Sequence, residues 1–284
     1  MKIRRLRAFI VIVPVLLAAL AFAVAHRVAI VDYFRSATQP ALPPAVTFEE
    51  TQKELEEPKG LEELPVPPKP VAEAPQAHQA PPSPQSLPVL PDSFNLAVPF
   101  ASQAPLSIWD EVHEETCEEA SVLMVDGFYD GRASFDPEEA DKELLAVVEF
   151  EKKQFGYFAD TTAEETVVIA KKFFGYKVAD VVKDPTVESI KREVQAGHPV
   201  IVPAAGRALH NPNFKSPGPI YHMVVVRGWT KDGFITNDPG TRNGKGYFYA
   251  YDVLMSAMHD WNAKDIELGA KVVLVVKPNM KNEE

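Results

Sequence analysis

The chain has one cysteine, Cys117, in the run His113-Glu114-Glu115-Thr116-Cys117-Glu118-Glu119-Ala120. A lone thiol can form neither an intrachain disulfide nor a multi-cysteine zinc site. Two roles remain. The commoner is a small buried residue, and the other is a nucleophile. The position suits the second. A polar turn ends at Thr116 and helical spacing begins at Cys117. The thiol then lies in the first turn of a helix, where the macrodipole favours a thiolate. Glu118 and Glu119 oppose this, because nearby negative charge raises a thiol pKa.

A thiol nucleophile needs a base and a group that orients the base. Five histidines follow residue 100: His113, His198, His210, His222 and His259. His222 is best placed. It starts a long strand after the loop Ser216-Pro217-Gly218-Pro219, so it can face a cleft from a strand end. His198 precedes Pro199 and a buried strand and reads as structural. His210 lies in an irregular loop. His259 ends a short helix, where the dipole alone explains it. His113 either approaches the thiol or faces water. Asn237-Asp238-Pro239 closes the strand that neighbours His222, and the proline keeps Asp238 extended. Counted from the turn between the strands, His222 and Asp238 lie roughly opposite, allowing for twist and a bulge. By itself Asn-Asp-Pro is turn chemistry. Opposite a histidine, Asp238 is the candidate orienter. Gln103 could donate to a developing oxyanion together with the backbone N–H of Cys117.

The elements that must hold these groups are legible in outline. Leu96 to Phe100 reads as a strand, and Cys117 to Tyr129 as a helix through Ala120, Leu123, Met124, Gly127 and Phe128. Further helices begin at Asp136-Pro137, Thr162 and Thr186. The first of these carries Leu144, Leu145, Val148 and Phe155 on one face. Strands follow at Val200 to Ala204, Tyr221 to Thr230, Phe234 to Asn237, Gly246 to Ala250 and Lys271 to Val276. Helices first and strands later indicate an α+β domain with an antiparallel sheet.

This domain spans 94–278, before a polar tail at 279–284. Residues 36–93 read as a disordered linker: of the chain's 26 prolines, fourteen lie between Pro40 and Pro91, and such segments favour extended polyproline structure. Within it, Thr47-Phe48-Glu49-Glu50 spells a capping box for a short acidic helix. Residues 1–35 read as an anchor or export signal. Lys2, Arg4, Arg5 and Arg7 precede the apolar run Ala8 to Ala25, which is long enough to span a bilayer and places the rest of the chain outside the cytoplasm. The alternative is secretion after cleavage at Ala23-Val24-Ala25. The net charge of −11, with no basic run after residue 7, argues against nucleic acid. No cofactor or metal is expected, and the domain is expected to be a monomer.

The order Gln, Cys, His, Asp and the helix-then-sheet layout resemble papain-like cysteine peptidases. The nearer resemblance is to the C39-like peptidase family, over about residues 95 to 277. It rests on Val98-Pro99-Phe100 through Ser102-Gln103, on Trp109, on Cys117-Glu118-Glu119-Ala120, on Tyr221-His222-Met223-Val224-Val225-Val226-Arg227-Gly228-Trp229 and on Asn237-Asp238-Pro239. The resemblance implies a papain-like fold and a peptide or protein substrate. It implies Cys117 as nucleophile, His222 as general base and acid, Asp238 as orienter and Gln103 in the oxyanion hole. Glu118 and Glu119 depart from the small or neutral residues found there in many relatives.

Other functions keep a place. A binding module that retains the fold predicts a buried Cys117 or a His222 too far for a hydrogen bond. An amidase or acyl transferase acting on cell-wall peptide would use the same residues. A zinc hydrolase is weakest, since His113 to Cys117 lacks the second histidine of the metalloprotease motif. Neither a Gly-x-Ser-x-Gly elbow nor a Walker motif is present.

Overall fold

Helix starts in this protein follow their capping chemistry. In the computed structural model, which describes residues 40–56 and 89–279, Asp136 accepts from the N–H groups of Glu138 and Glu139 ahead of Pro137. Thr162 with Glu165, and Thr186 with Ser189, close reciprocal capping boxes that satisfy N–H groups a helix start leaves free. The helices are α1 (Phe48–Glu56), α2 (Cys117–Tyr129), α3 (Pro137–Gln154), α4 (Ala163–Lys172), α5 (Val187–Gln195) and α6 (Tyr251–Ala257). The strands are β1 (Phe94–Asn95), β2 (Val178–Lys183), β3 (Val200–Ala205), β4 (Tyr221–Trp229), β5 (Gly233–Asn237), β6 (Tyr247–Ala250) and β7 (Val272–Lys277). Their pairing is antiparallel throughout, in the order β2-β7-β3-β4-β5-β6, with β1 added on β4. The expected α+β class, helix-bearing half first and antiparallel sheet second, is the architecture observed.

β4 is the spine of the sheet and every residue in it is buried. Its pairing with β5 slips once: Trp229 faces Phe234 and Gly228 faces Ile235, but Val226 faces Thr236 and Val225 faces Asn237. Arg227 is the extra residue of this bulge. Strand side chains alternate faces, so a one-residue slip changes which face a residue occupies. Extending the slipped register sets Asp238 opposite Val224, on the face of His222. Without the bulge it would oppose Val225, and His222 would lie on the other face.

Arg227 also holds the bulge together. It is buried, and its guanidinium donates to Asn95 Oδ1 (3.1 Å), Val98 O (3.1 Å) and Asn237 Oδ1 (3.4 Å). Its carbonyl accepts from Leu96 N–H at 2.7 Å. Burial lowers its pKa to about 10, so it stays cationic near neutrality. Gly228 permits the close approach of β1, since a Cβ there would lie 2.3 Å from Phe94 O.

Three expectations differ from the structure. The strand expected over Leu96 to Phe100 lies earlier, at Phe94–Asn95; beyond it, Pro99 has no N–H to give a ladder. β2 was not expected: it is an edge strand in which only Ala179 is fully buried, so it carries little apolar signal. Part of the linker expected over 36–93 is folded. The chain divides into residues 1–41 and 42–284, and residues 42–56 pack within the second unit. The apolar run Ala8 to Ala25 and residues 57–88 lie outside the described residues.

The 42–56 segment is a strap. Val46 N–H donates to Asn95 O and Ala97 N–H to Val46 O, and Asn95 Nδ2 donates to Pro43 O. Phe48 stacks edge-on against Phe128 and Tyr129, with centroids 5.7 and 5.1 Å away. Thr51 is 3% exposed. Phe48→Ala should therefore destabilise the domain by about 2 kcal/mol, below the roughly 3 to 5 kcal/mol of a core aromatic because Phe48 is partly exposed. The urea midpoint measures this. An unchanged midpoint would mean that the strap contributes nothing to the fold.

Candidate active site

Cys117 opens α2 as its spacing predicts. Thr116 does not cap the helix with its side chain; its hydroxyl donates instead to Gln103 O at 2.9 Å. The thiol is 5% exposed. It donates to Glu118 Oε2 at 2.9 Å. The backbone N–H of Met223, the residue after His222 in β4, favours the thiolate. No Cys117–His222 hydrogen bond is formed among the described residues. Burial pushes the thiol pKa well up, and the charges of Glu118 and then Glu119 push it further; the Met223 N–H works against them. The expected dipole assistance is therefore outweighed in the resting site.

His222 and Asp238 meet as the register requires. His222 Nε2 and Asp238 Oδ1 are 2.7 Å apart, with side chains 2% and 0% exposed. Asp238 is held from all sides. Its Oδ1 also accepts from Gly240 N–H, and its Oδ2 accepts from Asn211 Nδ2 (2.9 Å) and the Tyr249 hydroxyl (2.6 Å). Burial alone would raise its pKa, but His222, Tyr249 and Asn211 together keep it below the ordinary carboxylate value. An ionised Asp238 fixes the proton of His222 on Nε2 and leaves Nδ1 bare as a base. Phe214 lies edge-on to the imidazole at 5.2 Å. Gly240 leaves room for the ring, since a Cβ there would sit 2.7 Å from His222 Cε1.

Gln103 is buried beside the start of α2, yet both of its amide N–H groups are in use. Nε2 donates to His113 O (2.8 Å) and Glu114 O (3.0 Å), while Oε1 is buried without a partner. Its backbone N–H donates to Pro239 O, which ties the cysteine side of the site to the aspartate side. In this conformation it offers no free N–H to an oxyanion.

The other histidines have separate duties. His113 neither approaches the thiol nor faces water: it is buried between Asp110 (2.7 Å) and Asp141 (3.0 Å). His198 bonds Glu193, a structural role as expected. His259 follows α6 and bonds Gly269 O, so a partner outside the helix explains it better than the dipole does. His210 lines a cleft of about 320 Å³ with Gly206, Arg207, Asn211, Pro212 and Phe214. Asn211 and Phe214 join this cleft to the His222–Asp238 pair. Lys215, from the same loop, reaches Glu114 at 3.5 Å, a solvent-exposed bridge of little strength. Cys117, His222 and Asp238 are all buried.

Sequence reasoning missed Asn211 and Tyr249, which grip Asp238, and Glu151, which faces Glu119 from α3. Asn211 lies in a loop with no spacing signal, and Tyr249 reads only as a strand aromatic. Among the described residues no cluster of three or more ligating side chains could hold a metal ion, and no helix is long and apolar enough to cross a membrane.

A thiol, a base with a bare nitrogen and a buried orienting carboxylate are the parts of acyl-transfer chemistry. Comparison with known proteins agrees in kind. Residues 95–265, more than half of the chain, match the Peptidase C39-like family. Among solved structures the chain is similar to a C39-like peptidase from Bacillus anthracis, at 17% identity and a TM-score of 0.45; the match covers 67% of this chain and 100% of that one. No curated protein matches.

Proposed function

Because the chain belongs to the Peptidase C39-like family, we propose that it is a cysteine peptidase acting on peptide bonds outside the cytoplasm. The observation that carries this reading is the buried His222–Asp238 pair at 2.7 Å, on the strand that follows the helix opened by Cys117 in the order the family resemblance requires. In the reaction, His222 Nδ1 takes the thiol proton as Sγ attacks the scissile carbonyl carbon. The C–N bond then breaks, and His222 returns the proton to the leaving amine. Water, deprotonated by His222, hydrolyses the thioester, releasing the acid and restoring the thiol. The proposed oxyanion donors are the Cys117 N–H and one N–H of Gln103, which exchanges the carbonyl of His113 or Glu114 for the substrate oxygen.

The test is incubation of the full chain with a peptide mixture and mass spectrometry of new termini. Cleavage by the wild type and none by Cys117→Ala is the expected result; equal cleavage by both rules out the cysteine mechanism. His222→Ala should lower kcat/KM by about 10³-fold or more. Asp238→Ala should cost less, about 10²- to 10³-fold, because it orients a base that remains. The reverse ranking would show that Asp238 is not the orienter.

One set of observations favours a second reading, a binding module without turnover: the thiol is buried on Glu118, both N–H groups of the Gln103 amide are engaged, and His222 is buried without a hydrogen bond to Cys117. That reading predicts no new termini from any peptide. Placement outside the cytoplasm rests on Ala8 to Ala25 as a membrane anchor. Protease added to intact cells should then degrade the domain, and protection would refute this placement.

A further inference from the structure

The side chain that the nucleophile hydrogen-bonds is a carboxyl, and the mechanism above leaves it unused. Glu118 is 1% exposed. Its Oε1 accepts from Thr161 N–H at 3.0 Å, and its Oε2 lies 2.9 Å from Cys117 Sγ. The Thr161 N–H marks Oε1 as the carbonyl oxygen. A proton on this carboxyl therefore sits on Oε2, the atom that faces the sulfur.

Among the described residues, the ionisable groups that act on Glu118 are acids. They are Cys117 and Glu119 from α2, Glu151 from α3, Asp160 from the loop between α3 and α4, and Tyr221 from β4. Asp260 stands behind Tyr221, 3.5 Å from its hydroxyl. An anion is poorly tolerated in such surroundings. Two anions 2.9 Å apart, a thiolate and a carboxylate, exclude one another.

We infer, on the basis of the Cys117–His222 mechanism, that Glu118 is a positioning residue that works as a neutral acid. When the S–H bond breaks and the proton passes to His222 Nδ1, Glu118 keeps its own proton and turns its Oε2–H onto the sulfur. The thiolate then accepts a hydrogen bond. Ionised Glu118 can only accept, so it holds the thiol protonated. Burial, with Glu119 adding to it, keeps the Glu118 carboxyl well above the ordinary range, which preserves its neutral form. The protein thus carries a nucleophile that is weakened by rising pH until the free-thiol range is reached.

The experiment is the pH dependence of iodoacetamide labelling of the full chain, from about pH 5 to 9, across the range in which thiols titrate. Wild type, Glu118→Gln, Glu151→Gln and His222→Ala are compared. In the wild type, labelling should be fast at the acidic end and fall by about tenfold, the effect of one pKa unit, before rising again. Glu118→Gln keeps the Thr161 contact and a neutral donor, so it should keep the fast acidic labelling and lose the fall. Glu151→Gln should keep the fall. An unchanged profile in Glu118→Gln, or a fall lost in Glu151→Gln but kept in Glu118→Gln, overturns this role while leaving the Cys–His mechanism standing. Labelling indifferent to His222→Ala overturns that mechanism and this role with it. If Glu118→Gln does not fold, infrared difference spectra of the wild type decide. A protonated-carboxyl band that shifts on alkylation supports the assignment, and the absence of any such shift overturns it.

Discussion

Replacing Cys117 with alanine is expected to reduce peptide hydrolysis by about 10⁴-fold or more, the scale seen when a nucleophile is removed from a catalytic set. Stability should barely change. The thiol is buried, but it contributes one sulfur and one hydrogen bond, to Glu118. Alanine keeps the Cβ that packs at the start of α2. The residual cavity is the size of one atom and should cost about 1 kcal/mol. The loss of the thiol also leaves Glu118 facing an apolar methyl, which further favours its neutral form. Intact folding by urea titration combined with lost turnover is the expected pair of results. Retained turnover would remove Cys117 from the chemistry, and a collapsed fold would make it a structural residue.

The second large effect concerns stability, and its direction is unusual. Glu151 lies on the buried stripe of α3 with Leu144 and Val148. Its carboxyl meets that of Glu119, and neither finds another partner among the described residues. A proton shared between the two carboxyls would supply the hydrogen bond that two carboxylates cannot make. Burial raises the Glu151 pKa from 4.5 to about 8. A carboxyl with a raised folded pKa opposes folding once the unfolded chain ionises. The penalty is absent below about pH 4.5, grows as pH rises and levels off above the folded value. At pH 7 it is about 3 kcal/mol, from roughly 1.4 kcal/mol per pKa unit. Glu151→Gln is neutral at every pH and can donate to Glu119. It should therefore stabilise the domain by up to about 3 kcal/mol at pH 7 and leave stability near pH 4 unchanged. Urea midpoints at both pH values measure this. Destabilisation at pH 7, or a shift equal at both, would contradict the shared-proton account.

These two sites show where the sequence was readable and where it was not. Cys117, His222 and Asp238 each sit at the end of an element, and element ends are marked by local signals: a polar turn, a Pro/Gly loop and an Asx-Pro stop. Their chain order also resembled a known family. The contacts that make them a site are not local. Asp238 shares a face with His222 only through the bulge at Arg227, an arginine inside a largely apolar strand, two of whose partners, Asn95 and Val98, lie more than a hundred residues away. Asn211 and Tyr249 reach Asp238 from a loop and from the neighbouring strand. Glu151 occupies the stripe position after Val148, where helical spacing asks for an apolar residue, so the pattern reads it as surface. The strap failed for a compositional reason. Prolines on both sides of Val46 and Phe48 mimic a linker, although the capping box of Thr47 and Glu50 forms as its residues predict.

The central claim is that Cys117 and His222 form an activated pair despite a resting thiol turned toward Glu118. Thiol labelling at about pH 6, well below the free-thiol pKa of about 8.5, tests it most directly in the full chain and in His222→Ala. Rapid labelling of Cys117 in the wild type, lost in His222→Ala, is the predicted result. Slow labelling in both, or equal labelling in both, would contradict it and leave a buried cysteine in a domain that binds rather than cuts.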